Sequence, residues 1–435
     1  MKKNVSPMTA VSVVVGCVIG AGVFFKPYAI YQATGGGPGM GILAWIIGGL
    51  MSIFGALTFA EVAVMIPRTG GMVTYLSEAY GKKIGYLAGW MQVMIFYPSF
   101  LAGYGVKVGE ELSQMTGIHM TMPVAILIIL TLCAVNIHGT KRAGRMQTIS
   151  TICKLIPLLV LIVFGLAHAS TSAIFTPMTS NGVSPMNSLG TTLLAVLFAF
   201  EGWTNVGALA GEMKNPAKDL PKAIVGGVSI IMAVYLLINI AYLRVLPADQ
   251  LMNLPSPALA VAEVLFGKWG GALIDIGIII SVIGAGNGFL LSGSRVAYAL
   301  AEENELPGST KLASLNKENV PAYSILLIGI LACLYSLSGQ FDLLTNLGVF
   351  SCWVFYTLTF STIIWFRKKR PDLKRTYSVP CYPLVPWLAI VSGLYVILSQ
   401  IFLSGSEARI MALFSIVITL AGLPVNRLYQ KYCRK

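Results

Sequence analysis

Twelve apolar segments follow one another along this chain, with little polar sequence between them. With soft edges they run at about 8–32, 41–66, 84–106, 121–137, 147–168, 189–210, 223–246, 270–300, 321–338, 342–366, 383–403 and 408–426. A helix of roughly 20 apolar residues spans the hydrocarbon core of a bilayer, so each is a candidate span. Charged residues make up only 11% of the chain, against about 25% in soluble domains. Mean hydropathy is +0.77. The chain is therefore expected to be an all-α integral membrane protein. Lys2 and Lys3 lead into a first segment longer than a signal-peptide core and without a convincing cleavage site, so that segment is expected to be retained.

An even number of spans puts both termini on one side, and the basic residues say which. With the termini cytoplasmic, most of the 30 Lys and Arg residues fall in cytoplasmic loops and tails; only Lys107, Arg244, Lys268 and Arg409 fall outside, and Lys26, Lys154 and Arg295 lie within spans. Basic residues concentrate on the cytoplasmic side of membrane proteins, so this is the expected orientation. The net charge of +13 is spread over these segments rather than gathered on one face, which argues against a nucleic-acid partner. The seven cysteines are odd in number and five lie within spans, so no disulfide framework is implied.

The first segment contains Gly16-Cys17-Val18-Ile19-Gly20-Ala21-Gly22. Each glycine costs a helix about 1 kcal/mol relative to alanine, and unpaired backbone groups at membrane depth survive only where they line a protein-walled or wet cavity. The run is thus a candidate broken helix whose freed amides and carbonyls grip a polar solute. Taken alone, Gly16 and Gly20 fit small-xxx-small helix packing better. The sixth segment supplies a second candidate break, Phe198-Ala199-Phe200-Glu201-Gly202-Trp203-Thr204-Asn205. Broken helices paired between inverted repeats mark transporter cores, and segments one and six open the two halves of a five-plus-five arrangement.

Charges within spans are functional candidates. Lys154 sits about seven residues inside segment five, too deep for easy snorkelling, and needs carbonyls, a carboxylate or a hydroxyl; a later start to that segment would instead leave it at the interface. Glu61 reads as a structural partner for a basic residue. Glu201 could face a water cavity, titrate or hold a neighbouring helix. Asp275 and Arg295, toward opposite ends of segment eight, are expected to reach the interfaces. Gly284-Ala285-Gly286-Asn287-Gly288 lacks the strand and βαβ context of a nucleotide loop and reads as close packing. The three histidines are far apart, and no metal-ligand spacing or catalytic grouping emerges, so neither a metal nor a cofactor is expected and an enzyme is not.

Several of these stretches resemble one family. Gly16–Phe24 is similar to the Gly-x-x-Ile-Gly-x-Gly-Ile/Val-Phe signature of the amino acid–polyamine–organocation transporters. Phe198-Ala-Phe-Glu-Gly-Trp203 resembles the sixth-helix break of the L-type amino acid transporter branch, and Glu212–Pro221 its cytoplasmic Glu-x-x-x-Asn-Pro-x-x-x-x-Pro motif. Pro67–Gly71 and Arg295–Pro307 are also similar to family segments. Within the branch the chain is most similar to bacterial alanine–serine–cysteine exchangers.

The resemblance implies a LeuT-type fold of 12 transmembrane helices with helices 1 and 6 unwound. Residues 8–168 and 189–366 would form the two inverted repeats, and 383–426 two peripheral helices. A substrate carboxylate would meet the amides of Gly20, Ala21 and Gly22. Its ammonium would meet carbonyls of Val18, Phe198 and Glu201 at the C-terminal ends of the inner half-helices, with Ile19 and Ala199 beside them. Cys17, Phe198, Ala199 and Phe200 would form the wall and Gly202 would leave space. Lys154 matches a lysine that sodium-independent members carry, so its ammonium would replace sodium near Gly16, with Ser281 as the partner on segment eight.

The implied function is a sodium-independent exchanger of small neutral amino acids, alternating access in a bacterial plasma membrane. The alternatives are a proton-coupled symporter or a cationic amino acid/amine antiporter, and more remotely a nutrient sensor. The loop at about 108–122 has no cysteine, so no disulfide-linked heavy chain is expected.

Overall fold

The computed structural model describes residues 11, 14–16, 18–66, 71–169, 173–204 and 215–433. Among these no strand occurs, and 8 helices are long and apolar enough to cross a membrane. Three shorter apolar helices, Thr121–Ile137, Pro185–Ala199 and Ala322–Ser336, lie among them. The protein is a multi-pass helical membrane protein.

In chain order the helices are α1 (Gly22–Ala33), α2 (Pro38–Met65), α3 (Met72–Tyr80), α4 (Lys82–Met91) and α5 (Tyr97–Thr116), the last two joined through a π-helical turn at Gln92–Phe96. There follow α6 (Thr121–Ile137), α7 (Thr140–Ala167), α8 (Pro185–Ala199), α9 (Pro216–Val245), the short α10 (Ala248–Leu251) and α11 (Pro257–Glu302). The last are α12 (Ser309–Leu312), α13 (Ala322–Ser336), α14 (Phe341–Lys369), α15 (Leu384–Leu398) and α16 (Ser406–Cys433). Proline opens α2, α8, α9 and α11, at a position whose N–H has no intrahelical partner anyway. α11 breaks at Gly267 (φ 72°, ψ 176°), which divides it into a short arm, 257–266, and a long rod.

The first and sixth segments are both interrupted. Residues 11–18 are helical where described, the chain bends at 19–21, and α1 starts at Gly22. α8 ends at Ala199, and a turn at 200–202 leads to a short 3₁₀ turn at 203–204. The rest of that segment, with Asn205 and Glu212, lies outside the described residues, as do Cys17, Lys2, Lys3 and Arg68.

α1 and α8 meet at their break ends. A Cβ on Gly22 would lie 2.4 Å from Ala199 Cα, so only glycine permits this approach. At their far ends the loop before α8 caps α1: Ser180 N donates to Thr34 O (3.0 Å) and Asn181 Nδ2 to Gly35 O (2.8 Å). α8 therefore lies on the same side of the breaks as α1. This corrects the expectation that Phe198 ends an inner half-helix: its carbonyl terminates the half paired with α1, the one read as outer.

Large apolar side chains such as Leu127, Ile152, Val163, Leu273 and Ile410 point outward on several helices. On helices long and apolar enough to cross a membrane, these side chains suit a lipid-facing surface. Inside, α7 packs closely on α11: a Cβ on Gly284 would fall 2.0 Å from Ser150 Oγ, so the glycine-rich stretch of α11 is a close-packing surface.

Lys26, Glu61, Lys107, Glu111, Lys154, Glu201 and Asp275 are all buried. Glu61 takes two bonds from Arg367 (2.8 and 2.7 Å) and one from the Val379 amide (2.6 Å), bracing α2 against α14. Two expectations fail. Asp275 does not reach an interface, because the arm 257–266 folds back so closely that a Cβ on Gly271 would lie 2.6 Å from Glu263 Cγ. Lys107 is not in a loop, because α5 runs on to Thr116 and carries it into the interior.

Candidate functional site

A helix that begins at Gly22 leaves its first amides without intrahelical acceptors. Ala21 serves as the N-cap, and its carbonyl accepts from Phe24 and Phe25 (3.1 Å each). The positive end of the α1 dipole thus lies against Ala199, where α8 presents its C-terminal, negative end. Opposite partial charges face each other across the breaks, as a zwitterion requires.

Two side chains tie down the carbonyls before the first break. Lys154 on α7 donates its ammonium to the carbonyls of Gly16 and Ile19, the latter at 2.7 Å. The lysine is 1% exposed, which removes the interfacial reading. Tyr235 on α9 lies within hydrogen-bonding distance of Val18 O (3.1 Å) and Ala199 O (2.9 Å). Its single hydroxyl proton serves both carbonyls, so one side chain spans the two breaks. Ser281 does not meet Lys154: its Oγ is buried without a hydrogen-bond partner among the described residues. The contacts of the ammonium include the two backbone carbonyls.

Gly20 faces α11 and α5, with Ala285 Cβ 3.4 Å and Tyr104 O–H 3.9 Å from where its Cβ would stand. Phe198 packs against Phe100 (centroids 5.2 Å), Tyr104 (6.1 Å) and Phe341 (5.6 Å), and its carbonyl accepts from the Glu201 amide at 3.1 Å. Phe200 turns toward Trp45 (6.2 Å) and Tyr235 (5.1 Å). Glu201 Oε1 accepts from Tyr356 O–H (2.6 Å) and the Gly202 amide (3.2 Å), and Gly202 sits at φ 113° to close the turn. Glu201 is thereby tied to a neighbouring helix, α14.

Toward the far end of α1 a cavity of about 470 Å³ is lined by Phe25, Tyr28, Lys107, Glu110, Phe341 and Asp342 among others. Lys26 lies under its floor. It donates to Asp342 Oδ1 (2.6 Å) and Thr345 Oγ1 (2.7 Å), with its ammonium 4.8 Å from the ring centroids of both Phe198 and Phe341. Phe341 and Asp342 line the cavity, and Phe198 of the second break packs against Phe341 and Lys26.

A family profile described as amino acid permease matches residues 5–422. The chain belongs to the amino acid permease family. Among curated relatives, this permease is 40% identical over 429 residues to the serine/threonine exchanger SteT of Bacillus subtilis (strain 168), covering 98% of this chain and 96% of that protein. It is 28% identical over 437 residues to the human cystine/glutamate transporter (99% and 85% covered) and 27% identical over 443 residues to the mouse b(0,+)-type amino acid transporter 1 (99% and 89%). These are transporters of the L-type branch, in line with the resemblance read from the sequence.

Sequence reasoning missed Tyr235, Tyr356 and the Lys26–Asp342 pair. The tyrosines carried a signal: buried phenols need partners, and both lie inside apolar segments. Lys26 follows the first break by one turn and was counted as a basic residue in a span, but its partner is 316 residues away.

Proposed function

We propose that this permease is a sodium-independent exchanger of small neutral L-amino acids such as alanine, serine and cysteine. It sits in a bacterial plasma membrane with both termini cytoplasmic, and its twelve spans form a five-plus-five inverted repeat with two peripheral helices. The substrate carboxylate takes the amides of Gly20, Ala21 and Gly22, and its ammonium the carbonyls near Val18, Phe198 and Glu201. Cys17, Phe198, Ala199 and Phe200 set the wall beside Ile19 and Gly202.

The observation that carries the reading is the Lys154 ammonium on the carbonyls of Gly16 and Ile19. A tethered cation occupies the negative pole of the break, so no dissolved sodium is needed there, and the lysine transmits movement of the 11–18 helix to α7. The relative named as a serine/threonine exchanger supports both the exchange mode and small substrates. The rival reading, a proton-coupled symporter or cationic amino acid/amine antiporter, draws on Glu201, whose Oε1 is taken by Tyr356 and Gly202.

The test is efflux of preloaded labelled alanine or serine from proteoliposomes in sodium-free buffer. Efflux is expected when external small neutral amino acids are present and not in empty medium. Efflux into empty medium, or a sodium requirement, overturns the proposal.

A further inference from the structure

Lys154 holds the first break from the side, and the second break has a hold of its own. Tyr356 is buried at the middle of α14, a helix of 29 residues, as Lys154 is at the middle of α7, a helix of 28. The Tyr356 hydroxyl donates to Glu201 Oε1 (2.6 Å) and lies 3.0 Å from Thr204 Oγ1. A phenol carries one proton and the carboxylate takes it, so Thr204 is the donor in the second bond. The Tyr356 ring packs on Trp203, with centroids 5.5 Å apart, and Trp203 also meets Phe59 of α2 edge-on (5.3 Å). Glu201, Trp203 and Thr204 thus all touch one side chain of α14. Gly202, between them, donates its amide to the same Glu201 Oε1 (3.2 Å).

We propose that Tyr356 is a positioning residue of the transport cycle, fastening the second break to α14 as Lys154 fastens the first to α7. The inference rests on the exchanger reading and its five-plus-five arrangement. There α7 and α14 are the fifth and tenth segments, so each break is held by the closing helix of its own repeat. The two holds differ in chemistry. Lys154 grips backbone carbonyls of the first break, whereas Tyr356 grips side chains of the second. The second hold can therefore be cut by substitution without touching the amides or carbonyls of either break.

Alternating access rocks one group of helices against another around the site. Residues 200–204 have left the α-helix that ends at Ala199, so side-chain ties must carry such a movement to them. A hydroxyl bonded to a carboxylate at 2.6 Å is among the stronger ties available. The Glu201 carbonyl, proposed to take the substrate ammonium, belongs to the residue that Tyr356 anchors. A shift of α14 reaches the site through that one bond, and the site reaches α14 the same way.

The test reconstitutes the full chain in proteoliposomes and reads exchange of labelled alanine or serine per folded protein, well below each melting temperature. Y356F and E201L should each lower the maximal exchange rate about tenfold, with little change in half-saturation. The double variant should be no slower than either single one, because both remove the same bond. E201Q, whose amide oxygen still accepts, should recover most of what E201L loses, and T204A, which spares the Tyr356–Glu201 bond, should lose less than Y356F. A tie that serves stability alone would lower the melting temperature and leave the rate per folded protein at the wild-type value; that result in Y356F overturns the proposal. E201Q as slow as E201L would assign the effect to the carboxylate charge and overturn it too. Should Y356F fail to fold, the comparison of E201L with E201Q decides. A wild type that shows no exchange overturns the exchanger reading, and this role with it.

Discussion

Lys154 donates to the Ile19 carbonyl at 2.7 Å, and so joins α7 to the first residue of the bend that leads into α1. Charge-assisted hydrogen bonds contribute about 1.5–3 kcal/mol, so K154A should slow exchange by roughly ten- to a hundredfold. The variant should still fold and bind, because the breaks keep their amides. Exchange in proteoliposomes alongside binding measured by thermal shift separates the two, and undiminished exchange would remove the coupling role from the lysine.

Tyr235 holds Val18 O and Ala199 O with one hydroxyl. In Y235F the ring still packs on Trp45 (centroids 5.4 Å) and Phe200 (5.1 Å), so the fold should survive. The two carbonyls lose their shared donor, at a cost of about 1 kcal/mol. Exchange should fall about fivefold with little change in melting temperature. Undiminished exchange in Y235F beside a clear loss in Y235A would assign the effect to packing instead.

Glu201 accepts two hydrogen bonds that an amide oxygen can also accept. E201Q should therefore retain exchange with an unchanged pH profile, whereas Y356F, which removes the donor from α14, should lower stability. Abolished exchange in E201Q with a normal melting temperature would restore the proton-coupled reading.

The breaks were legible because two glycine-containing interruptions fell in segments one and six, although the run at 16–22 alone fitted helix packing as well; a lysine seven residues into a span needed carbonyls, a carboxylate or a hydroxyl, and the break supplies the carbonyls. The depth of Asp275 was not. An acid near a segment end reads as interfacial, and nothing local announces that Gly267 will fold the arm 257–266 back over it. Ser281 was misplaced for the complementary reason: an ammonium satisfied by backbone carbonyls leaves no trace in side-chain patterns. The direction of α8 relative to α1 likewise depends on the loop that ties Ser180 to Thr34, a contact between segments far apart in the chain.

Outside the spans, burial beside Glu303 pushes the Glu305 carboxyl up to about 7 from its ordinary 4.5, despite the opposing charge of Lys82. A raised carboxylate pKa means the folded state holds the proton more tightly than the unfolded chain. Its stabilising contribution is complete below about 4.5 and is lost as pH rises through about 7. The solubilised protein should gain stability between pH 8 and pH 6 for this reason, and E305Q should lose that part of the slope. A slope identical in E305Q would trace the effect to other groups.

The Lys26–Asp342 pair is asymmetric: the lysine side chain is fully buried and the aspartate 43% exposed. Removing one partner of a buried pair costs more than removing both charges, because the remaining charge is stranded. D342N leaves the ammonium with Thr345 and the faces of Phe198 and Phe341, whereas K26M keeps the apolar stem packed and lets Asp342 turn to the cavity water. D342N should therefore destabilise by about 1–2 kcal/mol, after discounting for the exposed carboxylate, and K26M by less. Melting temperatures in detergent test the order, and the double variant K26M/D342N should recover most of what D342N loses. A double variant no more stable than D342N would show that the aspartate holds the cavity floor through something other than the lysine charge.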